Sequence, residues 1–285
     1  MPGIRILTDS TADLTRELIE RYSLIVVPLV VQFDQESYRD GVDIDIQSLF
    51  RLIDKHGQLP KTSSPSPAAF KAAFEQATAD GSQAIYIGLS TQLSSTVQNA
   101  RIAADLFPAG QVRVCDSANL STGIGLLVLH AADLARAGKS ADEIMAALEE
   151  ARPKVRSSFV IDTLEYLHKG GRCSGVQALV GSLLRLRPVI AVVDGRMEVA
   201  TKVRGARHKG FDYMLAEFQQ HASQGLVRTE RVFVTHTGTP DDAAFLMAEI
   251  RRIMPDVQAT IETQAGSVIG SHCGPGTIGI LYMLK

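Results

Sequence analysis

Hydroxyl side chains gather in two short runs of this 285-residue chain, each where a strand pattern gives way to a helix pattern. The first run is Lys61-Thr62-Ser63-Ser64-Pro65-Ser66-Pro67. The second is Gly88-Leu89-Ser90-Thr91-Gln92-Leu93-Ser94-Ser95-Thr96. The start of a helix offers unpaired backbone N–H groups and the positive end of its dipole, so it favours an anion. Apart from Lys61, neither run carries a Lys or Arg. Neutral donors of this kind suit a small anionic headgroup such as a carboxylate. A third polar segment, Gly270-Ser271-His272-Cys273-Gly274-Pro275-Gly276, reads as a loop placed to close the site.

The elements that must position these runs are legible from periodicity and caps. Ile4–Thr8 reads as a first strand, with Asp13 capping a helix that ends near Tyr22. Leu24–Phe33 is one β-rich run, bent or at an edge because Pro28 lies inside it. Asp40–Asp43 is a turn, and Ile46–Lys55 an amphipathic helix that stops at Gly57. Ser66 caps the next helix with Pro67 in its first turn, and Ser94 or Ser95 caps the one after strand Ala84–Leu89. Strand Gln111–Asp116, helix Thr122–Ala137 and the capping box Ser140–Glu143 complete the alternation. Strand and helix thus alternate over about 150 residues, which predicts parallel βαβ units with right-handed crossovers. Thr8-Asp9-Ser10, Gly88–Ser95 and Asp116-Ser117 are strand ends of the kind that converge on a ligand cleft.

The rhythm changes after Arg152-Pro153. Strand Phe159–Asp162 and a helix over Gly175–Leu184 come first. Two strands, Val189–Val193 and Met197–Val203, then flank Asp194-Gly195, a hairpin signal because both turn residues tolerate positive φ. Helix Ala206–His221, strand Arg231–Thr235, helix Asp241–Ile253 and strands Val257–Glu262 and Thr277–Leu284 follow. The expected fold is two-domain α/β. Residues 1–156 form an N-terminal parallel-sheet, Rossmann-like domain carrying the hydroxyl runs, and residues 157–285 form a C-terminal α/β domain with a mixed or antiparallel sheet.

Composition removes several function classes. The chain is 45% hydrophobic and 21% charged, with a net charge of −2, which argues against a dedicated nucleic-acid binder. Cys115, Cys173 and Cys273 are far apart and form neither a metal-ligand spacing nor a disulfide framework. No metal or cofactor is expected, and a reduced, cytoplasmic setting is. The opening Met1–Asp9 lacks the basic region of a secretory signal, and no run approaches the ~20 apolar residues of a membrane span. Between Lys169 and Lys209 nine Lys or Arg face only Asp194 and Glu198, either a solvated basic face or a docking surface for an acidic partner or for ATP phosphates.

Six segments, in order, carry a resemblance to a known family. They are Ile6–Leu14, Asp40–Ile44, Thr62–Pro67, Leu89–Thr96, Leu164–Arg172 and His272–Gly276. Together they span essentially the whole chain, which resembles the DegV family, whose members act as bacterial fatty-acid-binding proteins (the FakB role). The resemblance implies a buried long-chain fatty acid of the C14–C18 type whose carboxylate is held by Thr62 and Ser94, with His272 beside them. It implies a separate fatty acid kinase that phosphorylates the bound carboxylate to an acyl-phosphate for phospholipid synthesis. Arg172 would serve the kinase encounter or phosphoryl transfer. The protein would be a carrier and not an enzyme, with at most transient membrane contact. Ser95 stands where the family usually has glycine, and Val97 where tyrosine is common. Ser95 still offers its backbone N–H to the carboxylate.

The competing reading is a serine-type hydrolase or acyltransferase acting on lipid esters, with Ser90 or Ser94 as nucleophile and His272 as base. Gly88-Leu89-Ser90-Thr91-Gln92 imitates a nucleophile elbow but has Gln92 where the second glycine belongs. A DNA-binding regulator using the basic stretch is a third reading, but no helix-turn-helix pattern or aromatic platform accompanies it.

Overall fold

The computed structural model describes residues 3–173 and 186–285. The helix expected at 175–184 lies outside the described residues. Strands β1 (Ile4–Asp9), β2 (Ile25–Val27), β6 (Gln83–Gly88) and β7 (Val112–Asp116) form a parallel sheet in the order β2-β1-β6-β7. The apolar runs Ile85-Tyr86-Ile87 and Ile6-Leu7 sit in its middle strands, buried on both faces as a parallel sheet requires. The helices that flank or follow it are α1 (Arg16–Tyr22), α3 (Pro67–Thr78), α4 (Thr96–Ala104), α5 (Thr122–Arg136) and α6 (Ala141–Ala151).

Caps confirm several expectations and correct one. Ser66 accepts from the Ala69 amide at 3.2 Å, and Ser140 and Glu143 form a full capping box. Helix α2 (Ile46–His56) stops at Gly57, whose φ is 65°. Asp13, however, does not cap α1. Thr15 does, accepting from Leu18 N–H at 3.3 Å. Asp13 instead takes a left-handed conformation, φ 50°, and turns its carboxylate into the protein.

The β-rich run around Pro28 is two strands in two sheets. β2 ends at Val27 in the parallel sheet, and β3 (Val30–Phe33) joins β4 (Glu36–Arg39) and β5 (Lys61–Ser63) in a small antiparallel sheet ordered β4-β3-β5. Pro28 has no N–H to give a ladder, and Leu29 donates to the Ser10 hydroxyl at 3.1 Å instead of to a neighbouring strand. This small sheet carries Thr62, paired in register with Val31.

The chain moves to a second large sheet at β8 (Val155–Val160), which begins earlier than expected. Its order is β10-β9-β8-β13-β11-β12, antiparallel except for β11 with β12. The members are β9 (Leu186–Val193), β10 (Arg196–Arg204), β11 (Val227–His236), β12 (Thr260–Gln264) and β13 (Ile278–Leu284). Asp194 and Gly195 make the hairpin turn with φ of 48° and 80°. Helices α8 (His208–Ser223) and α9 (Pro240–Ile253) pack on this sheet. Helix α7 (Glu165–Gly170) follows β8.

Helix α5 lies between the large sheets, against β1 and β6 on one side and β8, β11 and β13 on the other. That placement explains why Thr122 through Leu129 are all buried and why the helix lacks a polar stripe over that span. One apolar core therefore runs through both sheets, from Ile6, Ile85 and Ile87 to Phe159, Ile190 and Leu281. No helix among the described residues is long and apolar enough to cross a membrane.

Two strands of the second sheet pack closely at Gly279, opposite Phe159 in register. A Cβ there would sit 2.7 Å from the Ser158 carbonyl oxygen and 2.8 Å from Phe159 Cβ. Backbone cannot yield as a flexible side-chain end can. We therefore expect Gly279→Ala to destabilise by about 1–3 kcal/mol and to lower the melting temperature by several degrees in a thermal denaturation experiment. An unchanged melting temperature would show that the two strands can separate at little cost.

Candidate functional site

Four elements bring the sequence-selected residues to one cavity. β5 supplies Thr62, the loop after β6 supplies Ser94, the segment after α7 supplies Arg172, and a short helix, α10 (Ser267–Cys273), supplies His272. The glycine-flanked segment 270–276, expected to be a loop, is thus helical up to Cys273. Its seven residues are too few to show a hydrophobic period. It is stabilised by burial against α2, α7, β3 and β5 instead. Gly270 makes this packing possible: a Cβ at that position would lie 2.2 Å from Ile46 Cδ1 of α2.

His272 Nε2 and Thr62 Oγ1 are 2.8 Å apart, a hydrogen bond between residues separated by 210 positions. The double glycine of Leu164–Arg172 explains how the ring fits. A Cβ on Gly170 would fall 2.6 Å from His272 Nδ1, so only glycine leaves room for the imidazole. Gly171 then ends α7 with a φ of 65°, and the chain turns so that Arg172 lines the same cavity. Burial, helped by the nearby Arg172 charge, pushes His272 down to about 4, so the imidazole is neutral at pH 7.

Ser94 Oγ lies 2.8 Å from Thr96 Oγ1 and accepts from the Thr96 amide at 3.3 Å, at the mouth of α4. Ser95 stands at the N-cap position of α4 but makes no side-chain cap bond. Its hydroxyl meets Ser64 Oγ at 2.9 Å. Asn99 holds that pair from α4, donating to Ser64 Oγ at 3.2 Å and to the Pro65 carbonyl at 2.8 Å. The two hydroxyl runs are therefore stitched to each other by a residue that sequence reasoning passed over. Its position one turn into α4 was the available signal. Asp9, at the end of β1, fixes the second run from below: its Oδ2 accepts from Tyr86 Oη at 2.6 Å and from the Leu89 amide at 3.0 Å.

The cavity behind these groups has Leu29, Leu89, Leu93, Leu120, Met197 and Ile269 among its walls. Leu120, Ile269 and Cys273 also line a second cavity, walled by buried residues that include Phe159 and Leu281. Five polar residues border the inner space, yet their polar atoms are turned to protein partners. Ser121 donates to Asp13, and Thr235 meets Thr122 and Thr263. Thr237 donates to the Gly274 carbonyl, and Thr277 to the Cys273 carbonyl. His236 Nδ1 accepts from the Gly238 and Thr239 amides, which leaves Nε2–H to donate to Glu262 at 3.0 Å. What faces the space is therefore carbon. Burial raises the Cys273 thiol to about 12, so it too is an uncharged wall.

Ser90 is buried and donates to the Gly195 carbonyl at 2.8 Å, clasping the hairpin turn. His272 meets Thr62, and no serine–histidine hydrogen bond occurs among the described residues. The described residues also hold no group of three or more His, Cys, Asp or Glu arranged for a metal. Of the basic stretch, Arg187 and Arg207 pair with Asp162 and Lys169 pairs with Glu165. Arg172 bonds the Gly170 carbonyl and pairs with no carboxylate among the described residues.

The depressed His272 value has a measurable consequence. In the unfolded chain the ring takes a proton near pH 6.5, but in the folded protein only near pH 4. The unfolded state therefore binds more protons in that window, and stability is lost as pH falls through it. Comparing unfolding free energies from pH 7 to pH 4, we expect His272→Gln to remove a decline on the order of 1–3 kcal/mol. Parallel pH profiles for the two proteins would show that the ring is solvated.

Comparison with known proteins places this arrangement. A DegV family model matches residues 3–285. A DegV domain-containing protein of Caldanaerobacter subterraneus subsp. tengcongensis is 34% identical over the full length of both chains. Among solved structures, a DegV family protein from Thermus thermophilus described as binding fatty acid superposes with a TM-score of 0.92. It is 35% identical, over 99% of this chain and 100% of that one. DegV of Bacillus subtilis, described as a fatty acid binding protein, superposes with a TM-score of 0.90 at 32% identity over 100% of both chains. The family model over nearly the whole chain, with the match in length and in fold, has one conclusion: this chain belongs to the DegV family.

Proposed function

We propose that this protein binds a long-chain fatty acid and presents its carboxylate at the mouth formed by Thr62, Ser94 and His272. The observation that carries the reading is the Thr62–His272 pair standing over a cavity whose deeper continuation offers only carbon. The description of the two superposed relatives as fatty-acid-binding supports it.

The chemistry follows from donor counting. If His272 Nε2–H donates to Thr62 Oγ1, the Thr62 hydroxyl proton is free to point at the carboxylate. Ser94 offers a second hydroxyl, and the first turn of α4, including the Ser95 N–H, adds backbone donors. Each charge-assisted bond contributes about 1.5–3 kcal/mol. The tail contributes roughly 0.8 kcal/mol per buried CH₂, less the cost of ordering it. Its path would run past Leu120, Ile269 and Cys273 into the inner cavity.

The carrier does no covalent chemistry alone in this account. A separate fatty acid kinase would bring ATP. One carboxylate oxygen would bond to the γ-phosphorus as the bond to ADP breaks, leaving an acyl-phosphate for phospholipid synthesis. Arg172, which pairs with no carboxylate among the described residues, would complement the phosphate charge or an acidic surface of the kinase. Such a carrier belongs in the cytoplasm.

Replacing Thr62 and Ser94 together by Ala should weaken palmitate binding roughly a hundred- to ten-thousand-fold by competition assay, as loss of two such bonds implies. Arg172→Ala should leave palmitate binding within a few-fold and slow phosphorylation by the kinase. Unchanged binding in the double variant would remove the carboxylate from this mouth.

A further inference from the structure

Three buried carboxylates stand outside the mouth, and two of them converge on one end of α10. Asp13 Oδ1 accepts from the Gly266 amide at 2.8 Å, and its Oδ2 accepts from Ser121 Oγ at 2.6 Å. Asp40 Oδ1 accepts from the Ser267 amide at 2.7 Å. These are the amides that open α10, and no earlier turn exists to satisfy them. Asp13 and Asp40 lie in the first part of the chain, 253 and 227 positions away. The third, Asp9, serves the second hydroxyl run.

The convergence is built closely. A Cβ on Gly266 would sit 3.0 Å from both Asp40 oxygens and 3.3 Å from Asp13 Oδ1, so the glycine admits both carboxylates. Asp13 and its partner Ser121 are both held at positive φ, 50° and 53°. Non-glycine residues keep such conformations only where the surroundings over-determine them. His272 lies in the last turn of the same short helix, about 7.5 Å along the axis from Ser267 at 1.5 Å per residue. With so few residues between, a shift at the first amides moves the imidazole.

We propose that Asp13 and Asp40 are positioning residues that hold α10 so that His272 reaches Thr62, and that they thereby control how long the acyl carboxylate is retained. Burial raises both carboxyls above their usual range, and their mutual repulsion adds to the effect on Asp13. Two carboxyl groups buried together in the core are a costly way to stabilise a fold, since burying ionisable groups contributes little net stability. Their placement fixes a position.

The retention part of this inference rests on the fatty-acid reading; the imidazole part does not. The full chain, labelled with ¹⁵N-histidine, gives ring spectra and a titration for His272, and bound palmitate gives a dissociation rate. Asp40→Asn keeps an acceptor at the same place, whereas Asp40→Glu keeps the carboxyl group and displaces it by one methylene. We expect Asp40→Asn to keep the His272 spectrum and a release rate within about two-fold. We expect Asp40→Glu to move the His272 titration from about 4 toward 6.5 and to speed release at least tenfold. The same pair at Asp13 repeats the test should Asp40→Glu not fold. Ile144→Ala, in the buried face of α6, lowers stability without touching α10 and should change neither readout. The inference is overturned if the Glu variants keep the wild-type spectrum, if the Asn variants lose it, or if Ile144→Ala reproduces the Glu effect. Wild-type protein that fails to bind palmitate would sink the fatty-acid reading and leave the imidazole result to decide the positioning role.

Discussion

The 2.8 Å hydrogen bond between Thr62 and His272 joins two parts of the chain 210 positions apart, and it depends on three independent features of the fold. β5 must be carried away from the parallel sheet, which the break at Pro28 allows by starting the small sheet that holds it. Helix α10 must lie flat on α2 and α7, which the missing side chains of Gly270 and Gly170 permit. The open end of α10 must be satisfied inside the protein, which Asp13 and Asp40 do. If any one of these failed, the imidazole would be displaced from the hydroxyl.

The electrostatics of the site follow from its burial. An ionised imidazole would attract a carboxylate strongly but would need a partner whenever the ligand was absent. A neutral ring, held low by desolvation and by the Arg172 charge, avoids that cost and still orients a hydroxyl. The deeper cavity uses the same economy of polar groups. Thr235, Thr237, Thr277 and Ser121 all border it, yet each hydroxyl is directed to a protein acceptor or donor. An apolar wall can thus be built from polar residue types when their hydrogen bonds are made elsewhere.

Much of this was legible in local signals. Alternating strands and capped helices identified the parallel sheet, and Asp194-Gly195 identified the hairpin, because caps and turns depend on a few neighbouring residues. Thr62, Ser94, Arg172 and His272 were selected by motif and do border one cavity. What was hidden depended on distant contacts. Asp13 reads locally as a helix cap, but its true donors, Ser121 and Gly266, come from far along the chain. The segment 270–276 reads as a loop because a seven-residue helix shows no period and tertiary packing alone stabilises it. Asn99, which ties the two runs together through Ser64 and Pro65, gave only a weak signal.

The most direct test of the central claim is native mass spectrometry of the purified full chain, followed by organic extraction and lipid analysis. The account predicts one long-chain fatty acid per protein, present as purified or taken up from added C14–C18 acids. A protein that runs at its bare mass and takes up none of these acids would contradict it.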